Sequence, residues 1–294
     1  MAKLKINTSP SLQRLNLVVK GLVNTKFMGN YASAFKGQGL EFADYRLYTQ
    51  SDDAGLIDWK ASNRSRKLLV KEFVEERNLN IYFILDVSST MFTGSTNKLK
   101  CEYAAELVSS FVHTVLRAGD FVGLIMFSDK VAKRIMPSNG MKQYQIVSDS
   151  LSNLSFYGGD SNIGKVLDDS LKAIEENSLV VLISDFITTD KYDRAVKLAG
   201  KKFDLIGISV RDPIDMELPK GMGEVLVEDP ISREAMLISP NKYRKLYAKE
   251  TKKQINAVEK MFRKSGADFL PLSTDKPFIK ELVSFFKRRE ARWR

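Results

Sequence analysis

"ILDVSSTM", residues 84–91, ends a run of apolar residues in one carboxylate and three hydroxyls. The segment that contains its start, "NIYFILD", is short, continuous and apolar, the pattern of a strand buried on both faces. Next comes "KLKCEYAAELVSSFVHTVLRAG", with helical periodicity and a Gly-Asp stop. A buried strand, a polar turn and an amphipathic helix are the opening of an α/β unit. Asp86, Ser88, Ser89 and Thr90 therefore crowd short oxygen-bearing side chains at the carboxyl end of a core strand.

Working outward, strand-like and helix-like segments alternate from Asn80 to the end of the chain. "FVGLIMFS" and "VAKRIMP" read as a hairpin and "MKQYQIVSDSLSNL" as a helix. "FYGGDSNIG" is a loop opening the helix "NIGKVLDDSLKAIEEN", and "SLVVLISDF" is a second buried strand ending in Asp185. The helix "DKYDRAVKLAG" and the strand "FDLIGISV" come next. A β-hairpin is expected around 223–239, turning at Pro230–Arg233. The long basic helix "NKYRKLYAKETKKQINAVEKMFRKSG", the strand "ADFLPLS" and the helix "PFIKELVSFFKRR" complete the pattern. It predicts an α/β domain over 78–294, a doubly wound, mainly parallel sheet with an inserted hairpin. Residues 1–77 differ: a short helix "SLQRLNLVVKGL", the Gly-rich "MGNYASAFKGQGLEF", a polar stretch, then the strand-like "KLLVKEFVEER". Their apolar content is thin for an independent core. That last strand is expected to pair antiparallel beside "NIYFILD", making residues 1–77 an extension packed on the sheet edge.

Composition narrows the class. The 294 residues are 44% hydrophobic and 28% charged, as in an ordinary globular protein. No apolar run approaches the ~20 residues of a membrane span, and the first residues lack a signal-peptide pattern. A single cysteine, Cys101, precludes an internal disulfide and fits a reducing compartment, so a cytoplasmic location is expected. The net charge is +10, and Asn241–Arg294 alone carry 16 Lys/Arg against six Asp/Glu, which is the whole excess. The basic end "KRREARWR" offers a surface for nucleic acid, acidic protein or anionic lipid, but a solvated helix face is the simpler reading. No aromatic ladder, zinc spacing or helix-turn-helix pattern supports a nucleic-acid module.

In open α/β sheets, ligands bind beyond the carboxyl ends of strands where crossovers diverge. Asp86 and Asp185 each end a buried strand. If those strands are neighbours, both carboxylates and the Ser88 and Thr90 hydroxyls converge on one crevice, which the "GGDS" loop also enters. Oxygen donors without His or Cys suit a hard cation, Mg²⁺ or Mn²⁺, and disfavour zinc. The cation would relieve the repulsion between two buried carboxylates.

Asp86-x-Ser88-x-Thr90 resembles the metal-ion-dependent adhesion site of von Willebrand factor A domains. The resemblance implies that Ser88 and Thr90 bind Mg²⁺ directly and that Asp86 acts through water. It places a further hydroxyl ligand at Ser161 of "GGDSNIG" and the final carboxylate at Asp185 of "VVLISDF". Ser161 stands where that pattern has Thr, and Asp160 where a second Gly is usual. More widely, "GLEFADYRLYTQSDDAGLIDWKASNR", "DVSSTM", "DPISREAMLI" and "SFFKRR" resemble a domain-of-unknown-function group of A-domain proteins that accompany MoxR-type AAA+ ATPases. In that group's amino-terminal motif, Ser51 and Gly55 replace Gly and Arg. The resemblance implies a non-enzymatic adaptor whose metal grips an Asp or Glu of a partner protein, either the ATPase or its client.

Competing readings are weaker. A haloacid-dehalogenase-type phosphohydrolase would use Asp86 as nucleophile, but Ser88 occupies the place of its second, proton-donating Asp. His113 is the single histidine, so a Ser-His-Asp triad has no histidine to spare and a packing role is expected. Cys101, near a helix start, is expected to be packed with at most slight reactivity. "GGDSNIG" lacks the Lys and spacing of a P-loop. Trp59 in "IDWKASNR" is either a packing aromatic or a docking residue.

Overall fold

The structure, a computed structural model, describes Leu4 and residues 41–49, 52–74, 79–221, 223–229 and 234–293. The helix expected at "SLQRLNLVVKGL", most of the Gly-rich segment, Ser51 and the Pro230–Arg233 turn lie outside those residues. Leu4 and Leu79–Arg292 belong to one unit, and the described residues from 41 to 74 belong to another.

The smaller unit holds β1 (Glu41–Leu47), α1 (Trp59–Ser65) and β2 (Leu69–Val74). Asp58 caps α1 by accepting from the amides of Lys60 and Ala61 at 2.9 and 3.0 Å, and it also receives the Tyr45 hydroxyl at 3.0 Å. β2 pairs antiparallel with β1, Leu69 opposite Leu47, in a two-stranded sheet of its own. This corrects the expectation that "KLLVKEFVEER" would lie beside "NIYFILD". The physical reason is that both edges of the latter strand are already taken within the larger unit. Trp59 is exposed.

The larger unit runs β3 (Asn80–Asp86), α2 (Lys100–Arg117), β4 (Phe121–Phe127), β5 (Val131–Ser138), α3 (Gly140–Ser152), α4 (Ile163–Ala173), β6 (Leu179–Ser184), α5 (Asp193–Lys202), β7 (Asp204–Arg211), α6 (Pro213–Met216), β8 (Val225–Glu228), β9 (Ala235–Ile238), α7 (Pro240–Lys264), β10 (Asp268–Ser273) and α8 (Phe278–Trp293). Its sheet has the order β10-β7-β6-β3-β4-β5, parallel except for β5, which pairs antiparallel with β4 at the edge. The expected doubly wound, mainly parallel sheet is present. The expected hairpin is the β8–β9 pair, a separate two-stranded sheet.

Strand periodicity divides the core. Ile81, Phe83 and Leu85 of β3 pack with α2, α3 and α8, while Tyr82 and Ile84 pack with α4, α5 and α7. Burying each such side chain contributes roughly 1.5–3 kcal/mol, so two-sided burial keeps these strands central. At Gly207 of β7, an added methyl carbon would stand 2.5 Å from the Phe262 ring, so α7 sits directly on the sheet there.

Part of the basic carboxyl-terminal charge is structural. Arg289 is 3% exposed and paired with Asp204 and Asp268, which begin β7 and β10, and Arg292 pairs with Asp268 at 2.6 Å. The described part of "KRREARWR" is therefore not simply a solvated face. Among the described residues no helix is long and apolar enough to cross a membrane.

Candidate functional site

β3 sits between β4 and β6. The crossover from β3 to β4 passes through α2 on one face of the sheet, and α4 leads into β6 on the other. The carboxyl ends of β3 and β6 are thus the switch point of the sheet, where a crevice opens. The parallel register pairs Leu85 with Ile183, which sets Asp86 beside Ser184.

Asp86 is 1% exposed, and both its oxygens are engaged. Oδ1 accepts from the Ser88 amide at 2.9 Å, and Oδ2 accepts from the hydroxyls of Ser161 at 2.8 Å and Ser184 at 2.7 Å. The Ser88 and Thr90 hydroxyls stand 3.1 Å apart, and both residues are buried. Ser161 arrives on the Gly158–Gly159 loop. That loop is stapled to the site by Gly158 donating to the Val87 carbonyl at 2.7 Å and Ser89 donating to the Gly159 carbonyl at 2.8 Å. Gly158 and Gly159 have φ of 120° and 86°, conformations that a side chain would oppose, so glycine is what lets the loop lie against β3. Thr188, after β6, holds the Ser161 carbonyl at 2.9 Å. Asp160 turns back onto the Ser161 amide at 2.7 Å and is exposed.

Asp185 also lies at this end, fully buried, but it has its own partners. Oδ1 accepts from the Ile187 amide at 2.9 Å, and Oδ2 receives the Lys100 ammonium at 2.8 Å. The same ammonium reaches Asp215 of α6 at 2.9 Å. Lys100 is 1% exposed and opens α2, where the helix dipole disfavours a cation.

Electrostatics follow from burial. Loss of solvent, followed by the field of Asp185, pushes the Asp86 carboxyl up to about 6, against the opposing bonds from Ser184 and Ser88. Burial alone would pull the Lys100 ammonium down, but Asp185 and Asp215 outweigh it and its pKa is raised. Burial pushes the Cys101 thiol up to about 12, which removes even the slight reactivity expected for it. His113 packs edge-on against Tyr144, with ring centroids 5.3 Å apart.

The structure thus brings Asp86, Ser88, Thr90 and Ser161 together and sets Asp185 at the same end of the sheet, paired with a lysine. Sequence reasoning missed Ser184, Lys100 and Asp215. Ser184 had a signal, a hydroxyl where the last residue of a continuously apolar strand was due. Lys100 had none, because a lysine opening an amphipathic helix reads as solvated.

The donor set can be tested against a hard cation. Around Mg²⁺, with oxygens at about 2.0–2.1 Å, neighbouring octahedral ligands stand about 3 Å apart. The Ser88–Thr90 and Ser161–Asp86 separations, 3.1 and 2.8 Å, match that spacing. Asp185, engaged by Lys100, does not present a free oxygen in the same way. Among the described residues no three His, Cys, Asp or Glu side chains gather as a metal cluster, so hydroxyls would have to supply much of any coordination.

A doubly wound α/β domain with a buried carboxylate–hydroxyl crevice at its switch point is the class these features define. The chain belongs to the family described as "Protein of unknown function DUF58", whose model matches residues 44–257. An uncharacterised protein of Mycobacterium bovis is 22% identical over 282 residues, spanning 95% of this chain and 89% of that protein. Among solved structures, the conserved hypothetical protein BatB of Bacteroides thetaiotaomicron superposes with a TM-score of 0.50 at 16% identity, covering 73% of this chain and all of that one. A von Willebrand factor type A protein of Catenulispora acidiphila is more distant, with a TM-score of 0.37 at 9% identity over 76% of this chain and 44% of that one. At such identities the likeness speaks to fold alone.

Proposed function

We propose that the crevice is a metal-dependent protein-interaction site rather than an enzyme active site. Ser88, Thr90 and Ser161 hold Mg²⁺ or Mn²⁺ through their hydroxyls, Asp86 supplies the nearby negative charge, and Asp185 contributes its field from the end of β6. The ion, when bound, offers a Lewis-acidic point to which a partner's Asp or Glu carboxylate attaches. Ser184 orients Asp86 by hydrogen bonding to Oδ2, and the Gly158–Gly159 loop fixes Ser161. The partner is a MoxR-type AAA+ ATPase or its client, a choice supported by the motifs from Gly39 to Arg289 described above.

The observation that carries this reading is the meeting of oxygen donors, Ser161 of a separate loop on Asp86 at 2.8 Å and, on the turn that follows Asp86, Ser88 beside Thr90 at 3.1 Å. Calorimetric titration with MgCl₂ or MnCl₂ tests it. The wild type is expected to bind one ion and Ser88→Ala to lose that heat, whereas identical heats in both would remove the site. A generic phosphomonoester should not be hydrolysed. Mg²⁺-dependent turnover that disappears in Asp86→Asn would instead establish a phosphohydrolase.

A further inference from the structure

Lys100 is the feature of the crevice that the reading above does not use. Its ammonium is enclosed, 1% exposed, and lies 2.8 Å from Asp185 and 2.9 Å from Asp215. A structural role alone accounts for it poorly. Buried ion pairs seldom stabilise a fold more than apolar residues of equal size would, and a cation at the start of a helix opposes the dipole. Asp185 is also the carboxylate that a divalent ion in the crevice would be expected to feel most, after Asp86.

We propose that Lys100 is a built-in counter-cation that sets the metal affinity of the crevice, keeping it low until a partner's carboxylate arrives. The inference rests on the metal-site reading and adds its regulation. Lys100 pairs with Asp185 and Asp215, and the buried Arg211 guanidinium also lies in the field of both. Two cations thus face these two carboxylates, and the free protein presents the ion with hydroxyls and little uncompensated negative charge beyond Asp86. An incoming acidic side chain supplies the missing charge, and ion and partner then bind as a unit. Each raises the affinity of the other by the same factor. Asp215 shares the ammonium with Asp185 at 2.9 Å and helps to hold it in place. Lys100 is thus a positioning residue, since it acts through Asp185 and touches neither ion nor partner.

The test is Mn²⁺ binding to the full chain, followed by calorimetry and by loss of the free-ion paramagnetic resonance signal. Removing Lys100 alone leaves two buried carboxylates facing each other, so Lys100→Met is paired with the charge-balanced Lys100→Met/Asp215→Asn double variant. The double variant loses a positive and a negative charge together, but the positive one is the ammonium 2.8 Å from Asp185. Asp185 therefore loses its direct counter-charge, and Mn²⁺ is expected to bind about tenfold more tightly than to wild type. Asp215→Asn by itself, which leaves the ammonium wholly on Asp185, should bind no more tightly than wild type. A merely structural Lys100 would lower affinity through a damaged fold and could not raise it. Equal or weaker binding by the double variant, with Ser88→Ala still abolishing binding in wild type, overturns the role of Lys100 and leaves the metal site standing. Binding that Ser88→Ala does not affect, or none in any variant, overturns both.

Discussion

Asp86 is a carboxylate with three hydrogen bonds and almost no water, and the loss of water outweighs the bonds. Its pKa of about 6, above the ordinary 3.8, means that the metal-free folded chain holds a proton that the unfolded chain has already released between those values. Stability therefore falls as pH rises from about 4 to about 6. Denaturant unfolding with a chelator present, from pH 4 to 7, should show that decline. In Asp86→Asn the decline should be absent, leaving the variant the more stable protein at neutral pH. On the proposed metal-site reading the same proton competes with the cation, so Mg²⁺ affinity in the wild type should weaken by up to about tenfold per pH unit below 6. A flat affinity between pH 5 and 7.5 would mean that Asp86 is not part of the ion's surroundings. At this scale the sequence was legible for Asp86, Ser88, Thr90 and Ser161, whose oxygens meet as expected. It was silent on Lys100, because burial of a charged side chain depends on partners about 85 and 115 residues away in the chain.

Among the elements, the end of β6 is the most constrained. Phe186, directly after Asp185, is 1% exposed and has φ of 54°, a left-handed conformation that bulky residues rarely hold. Its amide donates to the Ser184 hydroxyl at 2.9 Å, and its ring lies 5.5 Å from Phe262 and 5.7 Å from Phe269. The reversed backbone lets Ser184 meet Asp86 while Asp185 meets Lys100, and aromatic packing against α7 and β10 supports the strain. Phe186→Ala should cost about 3–5 kcal/mol for the lost packing. Phe186→Gly should cost about 1 kcal/mol less than Phe186→Ala, because glycine removes the penalty at positive φ. That order reverses the usual ranking of Ala over Gly, and the ordinary ranking in denaturant melts would show that the turn is unstrained. The short apolar runs announced β3, β4, β6 and β7 because continuous burial leaves a continuous apolar record. The partner of β2 left no such record. Strand pairing is chosen by which edges remain open, and both edges of β3 were occupied.

At the scale of the whole molecule, the β8–β9 hairpin stands apart from the sheet that organises the larger unit. Register places Leu226 opposite Leu237 and Val227 opposite Met236, on alternate faces, and all four are exposed. An isolated two-stranded hairpin is marginal in water, so this one contributes little to the stability of the core. Replacing residues 224–238 by a short Gly-Ser linker should leave the thermal midpoint within about 3 °C of wild type. It should also leave the Mn²⁺ affinity unchanged. A larger fall in midpoint would show that the hairpin is part of the cooperative core. The basic carboxyl-terminal end also reads differently once folded. Arg289 and Arg292 are paired with Asp204 and Asp268, so these two cations are engaged within the fold, while the net charge of +10, which already counts both carboxylates, is carried by other residues.

By itself the sequence determined the α/β class, the hairpin insertion and the hydroxyl-rich end of β3. Each rests on local periodicity or on residues within a few positions of one another, where backbone geometry alone dictates the outcome. Only the tertiary structure decided that Ser184 would turn onto Asp86 and that Lys100 would be shared between Asp185 and Asp215. Only it gave β2 a sheet apart from β3. Those outcomes depend on groups far apart in the chain meeting where water is excluded. There the energy of a charge or a strand edge is set by its neighbours rather than by its own identity.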